Sequence, residues 1–188
     1  MSEYVLATKY VLAEKESVNL PVEGLDVTLA WNAPVDLDLM FFYKKTDGTE
    51  GGVFSNYFEK GSLGSNKVFP FITLSGDEGV DEAEGLKTEE GRIERIDPNI
   101  TEIHIFAVNW TDAKNGNTAS FANYDGMVQI KDASGNHDYG IPLASIAPGY
   151  FAHLATIDAS GRLTRVDNVL GVGPDFFESI PGAKLLLA

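Results

Sequence analysis

Carboxylates crowd one stretch of this chain. From Leu74 to Arg92 it reads Leu-Ser-Gly-Asp-Glu-Gly-Val-Asp-Glu-Ala-Glu-Gly-Leu-Lys-Thr-Glu-Glu-Gly-Arg, with acids at Asp77, Glu78, Asp81, Glu82, Glu84, Glu89 and Glu90. Only Lys87 and Arg92 oppose that charge, and Gly76, Gly79, Gly85 and Gly91 allow tight bends between the acids. Such a stretch repels itself unless something positive holds it. A hard cation with many oxygen ligands does so most directly, and calcium matches best. A solvated acidic loop on an acidic protein is the other reading. The partner stretch is Asp36-Leu37-Asp38-Leu39. On a strand, Asp36 and Asp38 leave the same face. Either both reach solvent at a strand end, or both converge on a cation.

Other chemistry finds little support. The histidines are His104, His137 and His153. None stands in a nucleophile–base motif, and no Gly-x-Ser-x-Gly elbow is present. Cysteine is absent, which removes thiol catalysis, disulfides and cysteine-ligated zinc. No phosphate loop or dinucleotide fingerprint occurs. A carboxylate pair for glycoside chemistry would need an aromatic-lined cleft. The helix-loop-helix calcium pattern also fails: counting from Asp77, Glu82 falls where glycine is needed and Thr88 where the closing glutamate is needed. Any calcium site must therefore be built from loops at the end of a β-structure.

The elements that would carry it read as strands. In Leu25 to Trp31, Leu25, Val27, Leu29 and Trp31 alternate with Asp26, Thr28 and Ala30, a half-buried strand. Asn32-Ala33-Pro34 ends it. Val35 to Tyr43 is apolar on both sides after its first residues. Asp47-Gly48 marks a turn. Val53 to Phe58 and Lys67 to Leu74 read as strands, the second weakened by Pro70. A short strand is expected at Arg92 to Ile96. Ile100 to Trp110 reads as central, with Ile103, Ile105 and Ala107 on one face and Ile100, Phe106 and Val108 on the other. Asn115-Gly116 predicts a hairpin. Phe121 to Lys131 is the next strand, with a bulge at Gly126. Asp132-Ala133-Ser134-Gly135 and Asp158-Ala159-Ser160-Gly161 predict two further hairpins. Tyr150 to Ile157 and Leu163 to Leu170 flank the second. In the tail, Asp175 is placed as a helix cap, with Phe176, Phe177 and Ile180 facing the core.

The chain has 188 residues, 44% hydrophobic and 11% aromatic, enough for a sizeable core. Many short strands with regular turns predict an all-β fold, an antiparallel two-sheet β-sandwich or barrel, with a short C-terminal helix. The expected division is 1–16 as an arm or edge strands, 17–174 as the sandwich and 175–188 as the tail. With 28 acidic and 14 basic residues, the net charge is -14. That argues against nucleic acid and anionic membrane surfaces as partners. No stretch is long enough to span a membrane. The opening Met-Ser-Glu-Tyr lacks a basic run, so no signal peptide and a cytoplasmic location are expected.

Leu29-Ala30-Trp31, then Asp36-Leu37-Asp38-Leu39, then Gly76-Asp77 opening an acidic loop that closes on Glu89-Glu90, together resemble the TerD family, named for tellurium resistance. The Phe121 to Ile130 strand adds to the likeness, which covers roughly residues 17 to 170. The resemblance implies a two-sheet sandwich that binds Ca2+ in acidic loops at one end. It implies a non-enzymatic role in tellurite resistance or the stress response, alongside protein partners of that system. Asp36 and Asp38 match the family's strand aspartates, Asp77 the aspartate after the loop glycine, and Glu89 and Glu90 the closing pair. Asp81 lies within the same loop and completes the expected metal ligands. Glu78 departs from the usual asparagine, and Lys87 is unwelcome beside a cation, which favours one site over two. A metal-independent module whose acidic face binds a basic partner is the alternative.

Overall fold

Glu23–Trp31 is a strand because its even spacing of Leu25, Val27, Leu29 and Trp31 buries one whole face. It occupies the middle of a seven-stranded sheet in this computed structural model, which describes residues 6–75 and 85–188. Among the described residues the strands are β1 (Tyr10–Val11), β2 (Ser17–Asn19), β3 (Glu23–Trp31), β4 (Asp38–Lys45), β5 (Glu50–Val53), β6 (Gly64–Ser65), β7 (Ile72–Leu74), β8 (Lys87–Arg95) and β9 (Ile100–Val108). They continue with β10 (Met127–Asp132), β11 (Asp138–Pro142), β12 (Phe151–Asp158) and β13 (Arg162–Leu170). Two short helices, α1 (Trp110–Asn115) and α2 (Pro174–Phe177), complete the regular structure with two 3-10 turns.

One sheet runs β1-β11-β10-β3-β8-β7-β6 and the other β2-β13-β12-β9-β4-β5. The pairs are antiparallel except β1 with β11, a parallel pair at the sheet edge. The expected β-sandwich is therefore the fold. Its main core lies between the sheets and includes Leu25, Val27, Leu29, Trp31, Leu39, Phe41, Ile103 and Ile105. A second cluster covers the outer face of the six-stranded sheet, where Met40, Phe42, Phe106, Val108 and Phe151 meet Phe176, Phe177 and Ile180 of the tail. Burial on both faces explains why β4 and β9 read as apolar on both sides. Each fully buried phenylalanine here contributes about 1.5–3 kcal/mol.

Several expectations are corrected. Asn115-Gly116 is not a hairpin turn: Gly116 takes a left-handed conformation (φ 67°) and closes α1, whose first turn Asn109 caps by accepting the Asp112 amide. Hairpin turns and helix ends both use this dipeptide, so the pair of residues does not distinguish them. Phe121–Asn123 is a 3-10 turn, and β10 begins only at Met127, after Gly126. Strand β5 ends at Val53, and the segment 66–71 is irregular because Pro70 has no amide to donate. Ile100 joins the inter-sheet core rather than the face of Phe106. Gly173, not Asp175, is the cap residue of α2. The two Asp-Ala-Ser-Gly hairpins are present. Gly135 (φ 71°) and Gly161 (φ 87°) supply the left-handed residue, and Asp158 accepts the Ser160 and Arg162 amides at 2.9 and 3.1 Å.

Candidate metal site at one end of the sandwich

Strand β8 decides which carboxylates can meet. It starts at Lys87, so the closing part of the acidic stretch is strand and not loop. Alternation then sends Glu89, Gly91 and Ile93 towards the other sheet and Glu90 and Arg92 away from it. Gly91 leaves room that the Phe41 ring fills: a Cβ there would lie 2.6 Å from that ring. This close approach of β4 to β8 brings Glu89 against the start of β4. Its carboxylate accepts the Leu39 amide at 2.6 Å.

The Asp36 segment is positioned by Trp31. Its buried indole donates to the Val35 carbonyl at 2.7 Å, which fixes the turn after β3. Leu37 is driven fully into the core, with Asp36 half-buried on one side of it and Asp38 buried on the other. Asp36 precedes the strand, and Asp38 is its first residue, opposite Val108. So the expected aspartate pair flanks a buried anchor rather than sitting wholly on a strand.

Asp38 (9% exposed) and Glu89 (4%) are thus buried carboxylates from opposite sheets at one end of the sandwich. Burying such groups is expensive unless they are paired. None of Asp36, Asp38, Lys87 and Glu89 lacks a partner. The Lys87 ammonium donates to the Ala33 carbonyl at 2.9 Å, so a positive charge is fixed three residues from Asp36. Ser75 ties the roots of the acidic stretch together, its amide donating to the Glu90 carbonyl at 2.8 Å.

The structure separates Glu90 from Glu89. Glu90 lies on the outer face of the seven-stranded sheet, in a polar hollow with Asp26, Thr28 and Lys131. Nearby, Arg92 bonds Asp26 at 2.8 Å and Glu94 at 2.7 Å. Asp77 and Asp81 lie outside the described residues. Among the described residues, no group of three or more His, Asp or Glu side chains is gathered closely enough to hold a metal ion. Asp38 and Glu89 suit calcium as hard oxygen donors, but they are only part of the roughly six to eight oxygens that the ion takes.

Sequence reasoning missed one buried polar pair. His104 Nδ1 and His153 Nε2 stand 3.1 Å apart on the outer face of the six-stranded sheet. The His153 ring stacks on Phe106, centroids 4.5 Å apart, and Glu102 approaches His104 Nε2 at 3.3 Å. Burial pushes His153 down to about 3, helped by the neighbouring His104. Burial also lowers His104, against a smaller opposing pull from Glu102. The available signal was that each histidine stands at an outward position between inward apolar residues.

No protein-family model matches the chain, and no curated protein does. Among solved structures, the chain is similar to a homologue of the telluride resistance protein TerD from Streptomyces coelicolor A3(2). Identity is 15% and the TM-score 0.53, with 83% of this chain and 95% of that one covered. At that identity the likeness concerns the fold.

Proposed function

With a TerD-like fold as the premise, we propose that the chain is a calcium-binding, non-enzymatic protein acting in the cytoplasm in tellurite resistance or a general stress response. The observation that carries this reading is the Glu89–Leu39 hydrogen bond, which ties the buried acid of β8 to the backbone one residue after the buried Asp38, at the root of the acidic stretch. Asp36, Asp38 and Glu89 are the proposed ligands among the described residues, with Asp77 and Asp81 completing the set. Glu90 is left out, because it leaves the opposite face of β8. A bound Ca2+ would offset the repulsion among these acids and tie the acidic stretch to the sheet ends. Leu37, Trp31 and Gly91 do the positioning: they fix the strand ends that carry Asp36, Asp38 and Glu89.

A double variant, Asp36→Asn with Asp38→Asn, tests the reading by calcium titration. The fold should persist, since Leu37 remains the anchor, and calcium affinity should fall at least tenfold. Unchanged affinity in the folded variant would refute it.

A second reading rests on Lys87. Its ammonium already places positive charge at this end of the sandwich. The end then acts without metal, as an acidic surface for a basic protein partner. That reading expects salt-sensitive partner binding and indifference to calcium.

A further inference from the structure

The outer face of the six-stranded sheet is covered by the chain's own tail, and side chains rather than backbone pairing hold it there. Phe176 stacks on Phe151, centroids 3.8 Å apart and planes 9° apart, and meets Phe106 edge-on at 5.4 Å. Phe42 closes the other side at 6.0 Å. The tail's backbone bonds are internal, such as Glu178 N to the Pro174 carbonyl and Ile180 N to the Phe176 carbonyl. Among the described residues, one hydrogen bond ties the tail to the sheet, from the Gly182 amide to the Glu50 carboxylate at 2.8 Å. The connection from β13 is Gly171-Val172-Gly173. A Cβ at Gly171 or Gly173 would meet nothing within 4 Å, and Val172 is 58% exposed. Packing therefore does little to fix the direction in which the tail leaves the sheet.

This is the physics of an apolar segment laid in a groove. Its free energy lies in anchors, not in a ladder continuous with the chain. A bed of this kind makes identical contacts with its own tail and with the tail of a second copy. Only the hinge and the local concentration choose between them. We propose that residues 174–188 and the Phe42–Phe106–Phe151 face form an exchangeable pair, the tail of one copy docking on the sheet of a second copy to give a reciprocal dimer. The closed monomer prevails when dilute, because a short hinge holds the tail near its bed at about millimolar effective concentration. A net charge of -14 on each copy opposes the dimer, so added salt favours exchange.

Deleting Val172 and Gly173 tests this, because the shortened connection keeps the tail from its own bed. Sedimentation of that variant should give a dimer at micromolar concentration. A monomer, or aggregates without defined stoichiometry, would overturn the proposal. A second arm uses the full chain with Phe176→Ala and Phe177→Ala, and a fluorescent peptide of residues 174–188. The peptide should saturate the double variant at least tenfold more tightly than the intact chain, whose own tail competes. Equal binding to both proteins, or none to a folded double variant, would also overturn it. If the double variant does not fold, the hinge deletion decides alone.

Discussion

The Glu89 carboxylate of β8 accepts the Leu39 amide of β4 at 2.6 Å, so a side chain of one sheet receives a backbone donor of the other. Leu39 is 1% exposed, and its amide has little access to water. Glu89 thus has two separable properties, an acceptor that the fold uses and a charge that a cation would use.

Substitution should separate them. Glu89→Ala leaves the Leu39 amide without this acceptor, at a cost of about 1–3 kcal/mol. That lowers the midpoint of thermal unfolding by about 2–4 °C for each kcal/mol. Glu89→Gln keeps a carbonyl acceptor and should lose less than about 1 kcal/mol, yet weaken calcium binding at least tenfold. Glu90→Gln, on the opposite face, should change neither by a comparable amount. Scanning calorimetry and calcium titration of the three variants check this; equal calcium loss at Glu89 and Glu90 would contradict the separation.

The histidine pair predicts a pH dependence of stability. Burial holds His153 near 3 in the folded protein, below its ordinary value of 6.5, and lowers His104 as well. The unfolded chain therefore takes up these protons first as pH falls. The His153 contribution is complete above about pH 6.5 and is lost progressively towards pH 3, at up to about 1.4 kcal/mol per unit, and His104 adds a loss in the same direction. Urea unfolding between pH 8 and 5 should show the decline. His153→Phe, which preserves the stack on Phe106, should flatten it. Parallel profiles for the two proteins would assign the decline to other groups.

Much of the scaffold was legible in the sequence for physical reasons. The alternation in β3 has a single solution, because slipping it by one residue would expose Leu25, Val27, Leu29 and Trp31 together. The repeated Asp-Ala-Ser-Gly turns carry their own hydrogen bonds and their own left-handed residue. The candidate site was legible only in part. Acid density suggested one loop from Leu74 to Arg92, whereas β8 begins at Lys87 because its inner positions, Glu89, Gly91 and Ile93, are required by partners on β4 and in the core. That choice sends Glu89 and Glu90 to opposite faces, and no local pattern contains it. The bed beneath the tail was hidden for a similar reason: Phe42, Phe106 and Phe151 come from separate strands and meet only after the sheet forms.

Trp31 offers a more local test of how the Asp36 segment is positioned. Trp31→Phe preserves a buried ring but removes the indole donor to Val35. A loss of about 1 kcal/mol is expected from the hydrogen bond, with more from the smaller ring. Calcium affinity should fall as well, because the turn that carries Asp36 loses its tether. A loss of stability with unchanged calcium affinity would show that this tether does not serve the site.

The most direct test of the central claim is thermal unfolding of chelator-stripped protein with and without millimolar calcium, with magnesium as the control. Calcium at about a hundred times its dissociation constant adds about 2.7 kcal/mol. For a chain of this size that is a rise of about 5–10 °C. A rise of that order with calcium, and little with magnesium, is the expected result. Identical midpoints with and without calcium would contradict calcium binding and leave the sandwich with an acidic end that serves a protein partner instead.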